Sequence, residues 1–240
     1  MTLRVGGLTR LTTIDFPGRL AAVVFCQGCP WRCGYCHNPE LLDASAGGAI
    51  AWESVLAILH GRRGLLDGVV FSGGEPLAQS ALPQALAQVR AMGFATALHT
   101  GGMYPDRLAA VLPLLDWVGL DIKGPQAGYD AITRTPGSGA RAWESLQLLL
   151  ASGVDYECRT TWHEGLFDTP GLLGLAEHAA ACGKRVLFFS LEMPPERIMR
   201  RRLIAASGVN VYEARRDRDK REAAYARLAM APGRLAKYIV

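Results

Sequence analysis

The stretch Leu20–Cys36, LAAVVFCQGCPWRCGYC, passes from an apolar run into a segment with four cysteines within eleven residues. The apolar run is short and contains two valines and a phenylalanine, which is typical of a buried β-strand. Gly28, Pro30 and Gly34 interrupt the cysteine segment and predict a loop. The sequence therefore predicts a first strand that runs directly into a cysteine-rich loop.

Five further apolar runs repeat the strand pattern, with helical spacing between them. The runs are Gly68–Ser72, Ala95–Thr100, Trp117–Ile122, Val154–Thr161 and Arg185–Ser190. The helical segments are Ala51–His60, Leu82–Met92, Pro105–Leu115, Arg141–Ser152 and Pro170–Cys182. This alternation predicts right-handed βαβ units and a parallel α/β sheet. The periodicity fits a partial barrel and a doubly wound sheet equally well, and in both folds the chemistry lies at the carboxyl ends of the strands.

The domain prediction depends on where this regular alternation ends. The pattern is lost near residue 190, so we predict one domain over 1–190 and a C-terminal extension, 191–240, packed on it. The extension holds twelve Lys or Arg and six Asp or Glu, and we interpret it as a solvated helix face or as a docking surface for an acidic partner. The net charge of the whole chain, +4, is too small to indicate nucleic-acid binding.

Two features of the sequence bear on its location. Residues 1–18 lack the basic-then-apolar pattern of a signal peptide, and no apolar stretch reaches the roughly 20 residues of a membrane span. We therefore expect a cytoplasmic protein that does not cross a membrane. In that compartment clustered cysteines are more often metal ligands or catalysts than disulfides.

The spacing of the cysteines distinguishes between kinds of metal site. A structural zinc site usually has two C-x2-C pairs about a dozen or more residues apart, and a ferredoxin has a different cysteine order. Cys29-x3-Cys33-x2-Cys36 supplies three ligands for a 4Fe–4S cluster and leaves one iron open for a second molecule. Cys26 is expected to point elsewhere, because a fourth ligand would close that iron. Cys158 is expected in the core.

The cysteine motif, placed after a first strand, resembles the signature of the radical S-adenosylmethionine superfamily. Two sequence segments, Ile14–Gly18 (IDFPG) and Cys33–Glu40 (CGYCHNPE), are similar to segments of the activating enzymes of glycyl-radical enzymes. The similarity is greatest to the activases of anaerobic ribonucleoside-triphosphate reductase. The resemblance extends from about Gly6 to about Thr161. It implies a partial (βα)6 parallel barrel of the radical SAM type, with a 4Fe–4S cluster and S-adenosyl-L-methionine as cofactors.

The resemblance also implies an activity and partners. The reduced cluster would cleave S-adenosylmethionine to methionine and a 5′-deoxyadenosyl radical, and the radical would remove the α-hydrogen of one glycine in a glycyl-radical enzyme. The expected target is anaerobic ribonucleoside-triphosphate reductase, and the expected electron donor is flavodoxin or ferredoxin.

Further site residues are expected from the same resemblance. Tyr35 and His37 would lie beside the cofactor. In Ser72–Pro76, SGGEP, the carboxylate of Glu75 can accept a charge-assisted bond from the methionine amino group, and Gly73, Gly74 and Pro76 complete that site. Thr100 matches the family at the end of the third predicted strand, whereas His99 and Gly101 depart from it.

The fourth and fifth predicted strands end in charged pairs. Because side chains alternate along a strand, Asp121 and Lys123 lie on the same face of the fourth strand, and Glu157 and Arg159 lie on the same face of the fifth. By resemblance, Asp121, Lys123 and Arg159 line the cofactor site, and Lys123 and Arg159 take part in catalysis with the three cysteines. The alternative for each pair is a structural ion pair.

Two other functions are compatible with parts of this pattern. A radical SAM enzyme acting on a small molecule or a peptide would carry the same cofactor motifs. An iron–sulfur electron-transfer protein would need Cys26 as a fourth ligand.

Overall fold

The computed structural model describes residues 2–161, which form an open sheet with helices packed against it. The strands of this part are β1 (Val5–Thr12), β2 (Ala21–Cys26), β3 (Gly68–Gly73), β4 (Ala95–Thr100), β5 (Trp117–Asp121) and β6 (Asp155–Arg159). The helices described are α1 (Trp52–His60), α2 (Leu82–Ala91), α3 (Pro105–Val111), α4 (Tyr129–Thr133) and α5 (Ser138–Ser152). The strands lie in chain order across the sheet, with β1 antiparallel to β2 and every later strand parallel to the one before it.

This topology confirms the predicted α/β class with a parallel-dominated sheet, and the sheet is not closed within residues 2–161. Five of the six predicted strands are present, and so are four of the five predicted helices. The predicted strand Arg185–Ser190, the predicted helix Pro170–Cys182 and the domain boundary at residue 190 lie outside the described residues. None of the helices within residues 2–161 is long and apolar enough to cross a membrane.

Two features differ from the sequence-based prediction. β1 has no counterpart in it, because Gly6 and Gly7 carry no side chains and break the hydrophobic alternation of the strand. A Cβ atom on Gly6 would lie 2.3 Å from the Leu41 side chain, so the glycine makes room for the segment after the cysteines. Cys158 is exposed rather than in the core, since β6 is the outermost described strand of the sheet.

The two faces of the sheet have different coverings. One, the helix face, carries Val24, Phe71, Leu98 and Leu120 and packs against buried residues of the helices. The other, the inner face, has a smaller apolar layer, consisting of Phe16, Ala21, Val23, Val70, Ala97 and Trp117. Beyond that layer, towards the carboxyl ends of the strands, the inner face carries polar and charged side chains.

Candidate functional site

The three motif cysteines lie on the loop that follows β2. Cys29, Cys33 and Cys36 are half-buried, and the Cys36 backbone N–H donates to the Cys33 carbonyl at 3.1 Å. Burial raises the pKa of Cys29 to about 12, and the charges of Glu75, Cys33 and Cys36 add to the effect. The thiolate of Cys29 is therefore disfavoured unless a cationic group binds to it.

The donor set fits an iron–sulfur cluster better than a single ion. Among residues 2–161, no three His, Cys, Asp or Glu side chains converge on one point where a metal ion would bind. A cubic cluster does not require such convergence, because each cysteine binds a different iron. Three half-buried thiols on one short loop are compatible with that need.

Cys26 differs from these three in its degree of burial. It is completely buried at the end of β2, within the helix-face core. Burial and the nearby carboxylate of Glu75 raise its thiol pKa well above the usual value. This placement is consistent with the expectation that Cys26 points away from the cluster.

Two buried amide side chains brace the cysteine loop. The amide nitrogen of Gln27 donates to the carbonyls of Glu40 at 3.2 Å and Asp43 at 3.0 Å, tying the start of the loop to its end. The amide nitrogen of Gln79 donates to the carbonyls of Arg4 at 2.8 Å and Gln27 at 3.1 Å. Neither glutamine was among the site residues expected from the sequence, because an isolated Gln carries no pattern signal.

Helix α4 holds the same loop from the other side. The Arg32 backbone N–H donates to the Thr133 carbonyl at 2.9 Å, and the Trp31 ring meets the Tyr129 ring edge-on with centroids 5.8 Å apart. The Tyr129 hydroxyl donates to the Asp121 carbonyl at 3.2 Å and accepts from the Lys123 backbone N–H at 3.1 Å. Tyr129 thus links the cysteine loop to the end of β5, although no motif marked it.

The two glycines at the end of β3 allow a close contact within the chain. Gly73 has φ +108°, and a Cβ atom there would lie 2.4 Å from the Cys26 backbone nitrogen. A Cβ atom on Gly74 would lie 2.5 Å from the Gly28 carbonyl oxygen. The close backbone approach expected at these glycines is therefore made to the cysteine loop, which lies directly against the end of β3.

Glu75 is buried, and its carboxylate accepts three hydrogen bonds within the chain. Its carboxylate accepts from the Thr100 hydroxyl at 2.7 Å, from the Leu77 N–H at 3.0 Å and from the Gly101 N–H at 3.0 Å. Pro76, also buried, begins the short 3-10 turn that brings the Leu77 N–H to this carboxylate. Glu75 thereby joins the ends of β3 and β4, and its second oxygen retains capacity for one further donor.

Burial raises the pKa of Glu75 to about 7, although the three hydrogen bonds oppose the shift. The native state therefore holds this proton more tightly than the unfolded state, so the stability contributed by the group falls as pH rises from about 4.5 to 7. We expect Glu75 to lower the unfolding free energy of the apoprotein as pH rises through this window, by up to about 1.4 kcal/mol per pH unit. Glu75→Gln should remove this contribution to the pH dependence. Urea unfolding at pH 5, 6, 7 and 8 tests it, with the exposed Glu53→Gln as control; identical pH slopes in wild type and Glu75→Gln would contradict it.

Asp121 and Lys123 lie beside the cysteines, at the end of β5. Lys123 Nζ is 2.8 Å from Asp121 Oδ2 and 5.8 Å from the centre of the Tyr35 ring. Burial disfavours the ammonium charge, but Asp121 outweighs it and holds the pKa of Lys123 above its usual value. The hydroxyl of Tyr35 is buried without a hydrogen-bond partner among the described residues. An unpaired hydroxyl of this kind fits a site that is completed by a bound molecule.

Arg159 ends β6 on the inner face, in register with Asp121 of β5. Its guanidinium carbon lies 5.2 Å from the centre of the Trp117 ring, and its Nε is 3.2 Å from Glu157 Oε1. An ion pair between Glu157 and Arg159, predicted from the sequence as the alternative to a role in cofactor binding, is thus present. The Glu157 side chain is 52% exposed, so the ion pair contributes little to stability. His37 is exposed on the cysteine loop.

The fold therefore brings most of the expected residues to one edge of the sheet. The ends of β2, β3, β4 and β5 contribute the cysteine loop, Gly73 to Pro76, Thr100 and the Asp121–Lys123 pair, and these groups are linked by contacts described above. Such an arrangement at the carboxyl ends of parallel strands is where α/β proteins bind cofactors.

Comparison with known proteins agrees with this arrangement. The model of the radical SAM superfamily matches residues 23–167, more than half of the chain. A protein of Methanocaldococcus jannaschii named a glycyl-radical enzyme activating enzyme is 28% identical over 191 residues, 76% of this chain and 78% of that protein. The pyruvate formate-lyase-activating enzyme of Clostridium pasteurianum is 35% identical over 147 residues, 59% of this chain and 60% of that enzyme. PqqA peptide cyclase of Gluconobacter oxydans is 31% identical over 162 residues, 64% of this chain and 44% of the cyclase.

Among solved structures, Streptococcus suis SuiB bound to S-adenosylmethionine superposes with a TM-score of 0.53 at 12% identity, covering 66% of this chain and 37% of SuiB. At this identity the likeness shows the fold alone. The chain belongs to the radical SAM superfamily, whose enzymes use a 4Fe–4S cluster and S-adenosylmethionine.

Proposed function

We propose that this protein activates a glycyl-radical enzyme by removing a hydrogen atom from one glycine of its partner. The observation that supports the proposal most is the joint placement of the cysteine loop, the Glu75 site and the Asp121–Lys123 pair at one edge of the sheet. The similarity to two proteins named as activating enzymes, one over 78% of its length, supports the choice of reaction within the superfamily.

Each group has a role in this proposal. Cys29, Cys33 and Cys36 hold the cluster, and the buried position of Cys26 argues against the four-ligand electron carrier. The cofactors, when bound, supply a 5′-deoxyadenosyl radical that can abstract hydrogen. Lys123 holds a positive charge beside Cys33 and Tyr35, where it favours anionic groups of the cofactor and the cluster thiolates.

The remaining residues orient the cofactor. The free capacity of the Glu75 carboxylate suits an ammonium donor, with Thr100, Gly73, Gly74 and Pro76 fixing its position. Arg159 offers a guanidinium for a carboxylate group, which it can bind with two parallel hydrogen bonds. Tyr35 and His37 complete the proposed site on the side of the cysteine loop.

The proposed partners follow from this chemistry. The proposed target is a glycyl-radical enzyme. We propose anaerobic ribonucleoside-triphosphate reductase, because the segments IDFPG and CGYCHNPE are similar to those of its activases. Flavodoxin or ferredoxin is the proposed source of the electron, and the cytoplasm is the proposed location of the reaction. The name of the Clostridium pasteurianum relative gives pyruvate formate-lyase as its target and that of the Gluconobacter oxydans relative gives a peptide, so the target is the point that an experiment must decide.

The test uses the full chain, reconstituted with iron and sulfide without oxygen and then reduced. With S-adenosylmethionine and anaerobic ribonucleoside-triphosphate reductase, we expect 5′-deoxyadenosine and the electron paramagnetic resonance (EPR) signal of a glycyl radical in equal amounts. The same assay with pyruvate formate-lyase identifies an activase of different specificity. Formation of 5′-deoxyadenosine without a glycyl radical on either protein would contradict the activase and favour a small-molecule or peptide substrate.

A further inference from the structure

His99 lies at the end of β4 on the inner face, between the loop after β1 and the end of β6. Its Nε2 is 3.0 Å from the Asp15 carbonyl oxygen. On the other side, Arg159 Nη1 is 3.5 Å from Nδ1, and Arg159 Nη2 is 3.3 Å from Nε2. The imidazole also meets the Trp117 ring edge-on, with centroids 5.7 Å apart. His99 therefore contacts a backbone carbonyl, a guanidinium and an aromatic ring at once.

These partners determine where the imidazole carries its proton. A carbonyl oxygen can only accept, so Nε2 must donate to Asp15, and Nδ1 of the neutral ring then presents a lone pair. A guanidinium can only donate, so Arg159 Nη1 can donate to that lone pair over 3.5 Å, whereas the 3.3 Å contact of Nη2 with the protonated Nε2 is a packing contact. Burial and then the charge of Arg159 lower the pKa of His99, which keeps the ring neutral beside the cation.

The same contacts fix the guanidinium of Arg159. It stacks on Trp117 on one side, and a Cβ atom on Gly119 would lie 3.1 Å from its central carbon, so the strand beneath it has no room for a side chain. Its Nε contacts Glu157, whose exposure makes that contact a poor anchor. On the inner face, the half-buried imidazole of His99 contacts the guanidinium. The backbone carbonyl of Asp15 accepts a hydrogen bond from the same imidazole.

We propose that His99 is a positioning residue, which is anchored by the Asp15 carbonyl and holds the guanidinium of Arg159 against Trp117, ready to meet the carboxylate of S-adenosylmethionine. This inference rests on the proposed cofactor-binding role of Arg159. It gives a function to a histidine at which the sequence departs from the family pattern, and it links the IDFPG segment, which lies outside the cysteine loop, to the cofactor site.

The test measures S-adenosylmethionine binding to the cluster-loaded full chain by calorimetry, together with the EPR spectrum of the reduced cluster. We expect His99→Leu to weaken binding by about tenfold, since it removes the acceptor and leaves Arg159 held only by Trp117 and the exposed Glu157 among the contacts described. His99→Gln, which retains a donor and an acceptor, should bind within about threefold of wild type. In the double variant His99→Leu/Arg159→Gln, the loss of S-adenosylmethionine affinity should equal that of Arg159→Gln alone. His99 acts on the cofactor only through Arg159, so its replacement has no further effect once the guanidinium is gone. His60→Leu, at the exposed end of α1, is the matched control.

The outcomes separate this inference from the proposed function. Normal binding by His99→Leu with weak binding by Arg159→Gln would overturn the positioning role and leave the role of Arg159 standing. Normal binding by both variants would overturn both. Losses that add in the double variant would also overturn the inference. Thermal unfolding of each variant identifies a change in stability, and rescue by His99→Gln excludes a purely structural effect.

Discussion

Replacing Cys33 by alanine is expected to abolish 5′-deoxyadenosine formation and to leave the reconstituted protein with little bound 4Fe–4S cluster. Cys33 is one of three half-buried thiols on the loop after β2, and it interacts electrostatically with Cys36 and Lys123. Removing it leaves two ligands for the cluster, because the fourth nearby thiol, Cys26, is enclosed in the helix-face core. Iron and sulfide analysis, visible absorption and the assay for 5′-deoxyadenosine measure the effect.

Two matched variants make this prediction specific. Cys158→Ala removes an exposed thiol on β6 and should leave iron content and product unchanged. Cys26→Ala should also retain the cluster, with at most a loss of stability from the small cavity in the core, of about 1–2 kcal/mol. Loss of the cluster in Cys26→Ala as well as in Cys33→Ala would contradict the three-ligand assignment and favour an iron–sulfur electron carrier with four cysteine ligands.

The parts of the fold that sequence could predict are those in which side-chain pattern and backbone geometry agree. The runs around Val23, Val70 and Leu98 have the composition of buried strands, and each occurs as a strand in the parallel part of the sheet. The order of these strands then places the residues after each strand at one edge, which is why motifs far apart in sequence meet.

Other features depend on contacts that a single sequence does not reveal. β1 contains two glycines, and its place in the sheet is determined by pairing with β2 and by the fit of Gly6 against Leu41. Gln79 and Tyr129 each bridge segments far apart in the chain, and nothing in their local sequence distinguishes them from other polar or aromatic residues. The expected role of Glu75 rests on the resemblance of SGGEP to the family's site, whereas its three hydrogen bonds within the chain are apparent only from the structure.

Gly73→Ala is expected to have the second large effect, on both stability and activity. The residue has φ +108°, a conformation that side chains disfavour, and the added Cβ atom would lie 2.4 Å from the Cys26 nitrogen and 2.8 Å from the Cys26 carbonyl oxygen. Both atoms belong to the backbone, so no side-chain rotation can relieve the overlap, and β3 must move away from the cysteine loop. We expect a loss of about 2–5 kcal/mol in unfolding free energy, combining backbone strain with overpacking.

The same displacement should impair the reaction beyond its effect on stability. The Gly74 N–H donates to the Cys26 carbonyl at 2.9 Å and the Glu75 N–H to the Gly28 carbonyl at 2.9 Å, so moving β3 shifts the cysteine loop relative to the Glu75 site. A shift of about 1 Å between cofactor-binding groups is enough to reduce the rate roughly a hundredfold. Gly47→Ala is the matched control, because no atom lies within 4 Å of its Cβ position and its φ is not positive. Assayed below their unfolding transitions, the two variants should differ in 5′-deoxyadenosine formation; equal rates would mean that the contact between β3 and the cysteine loop does not set the geometry of the site.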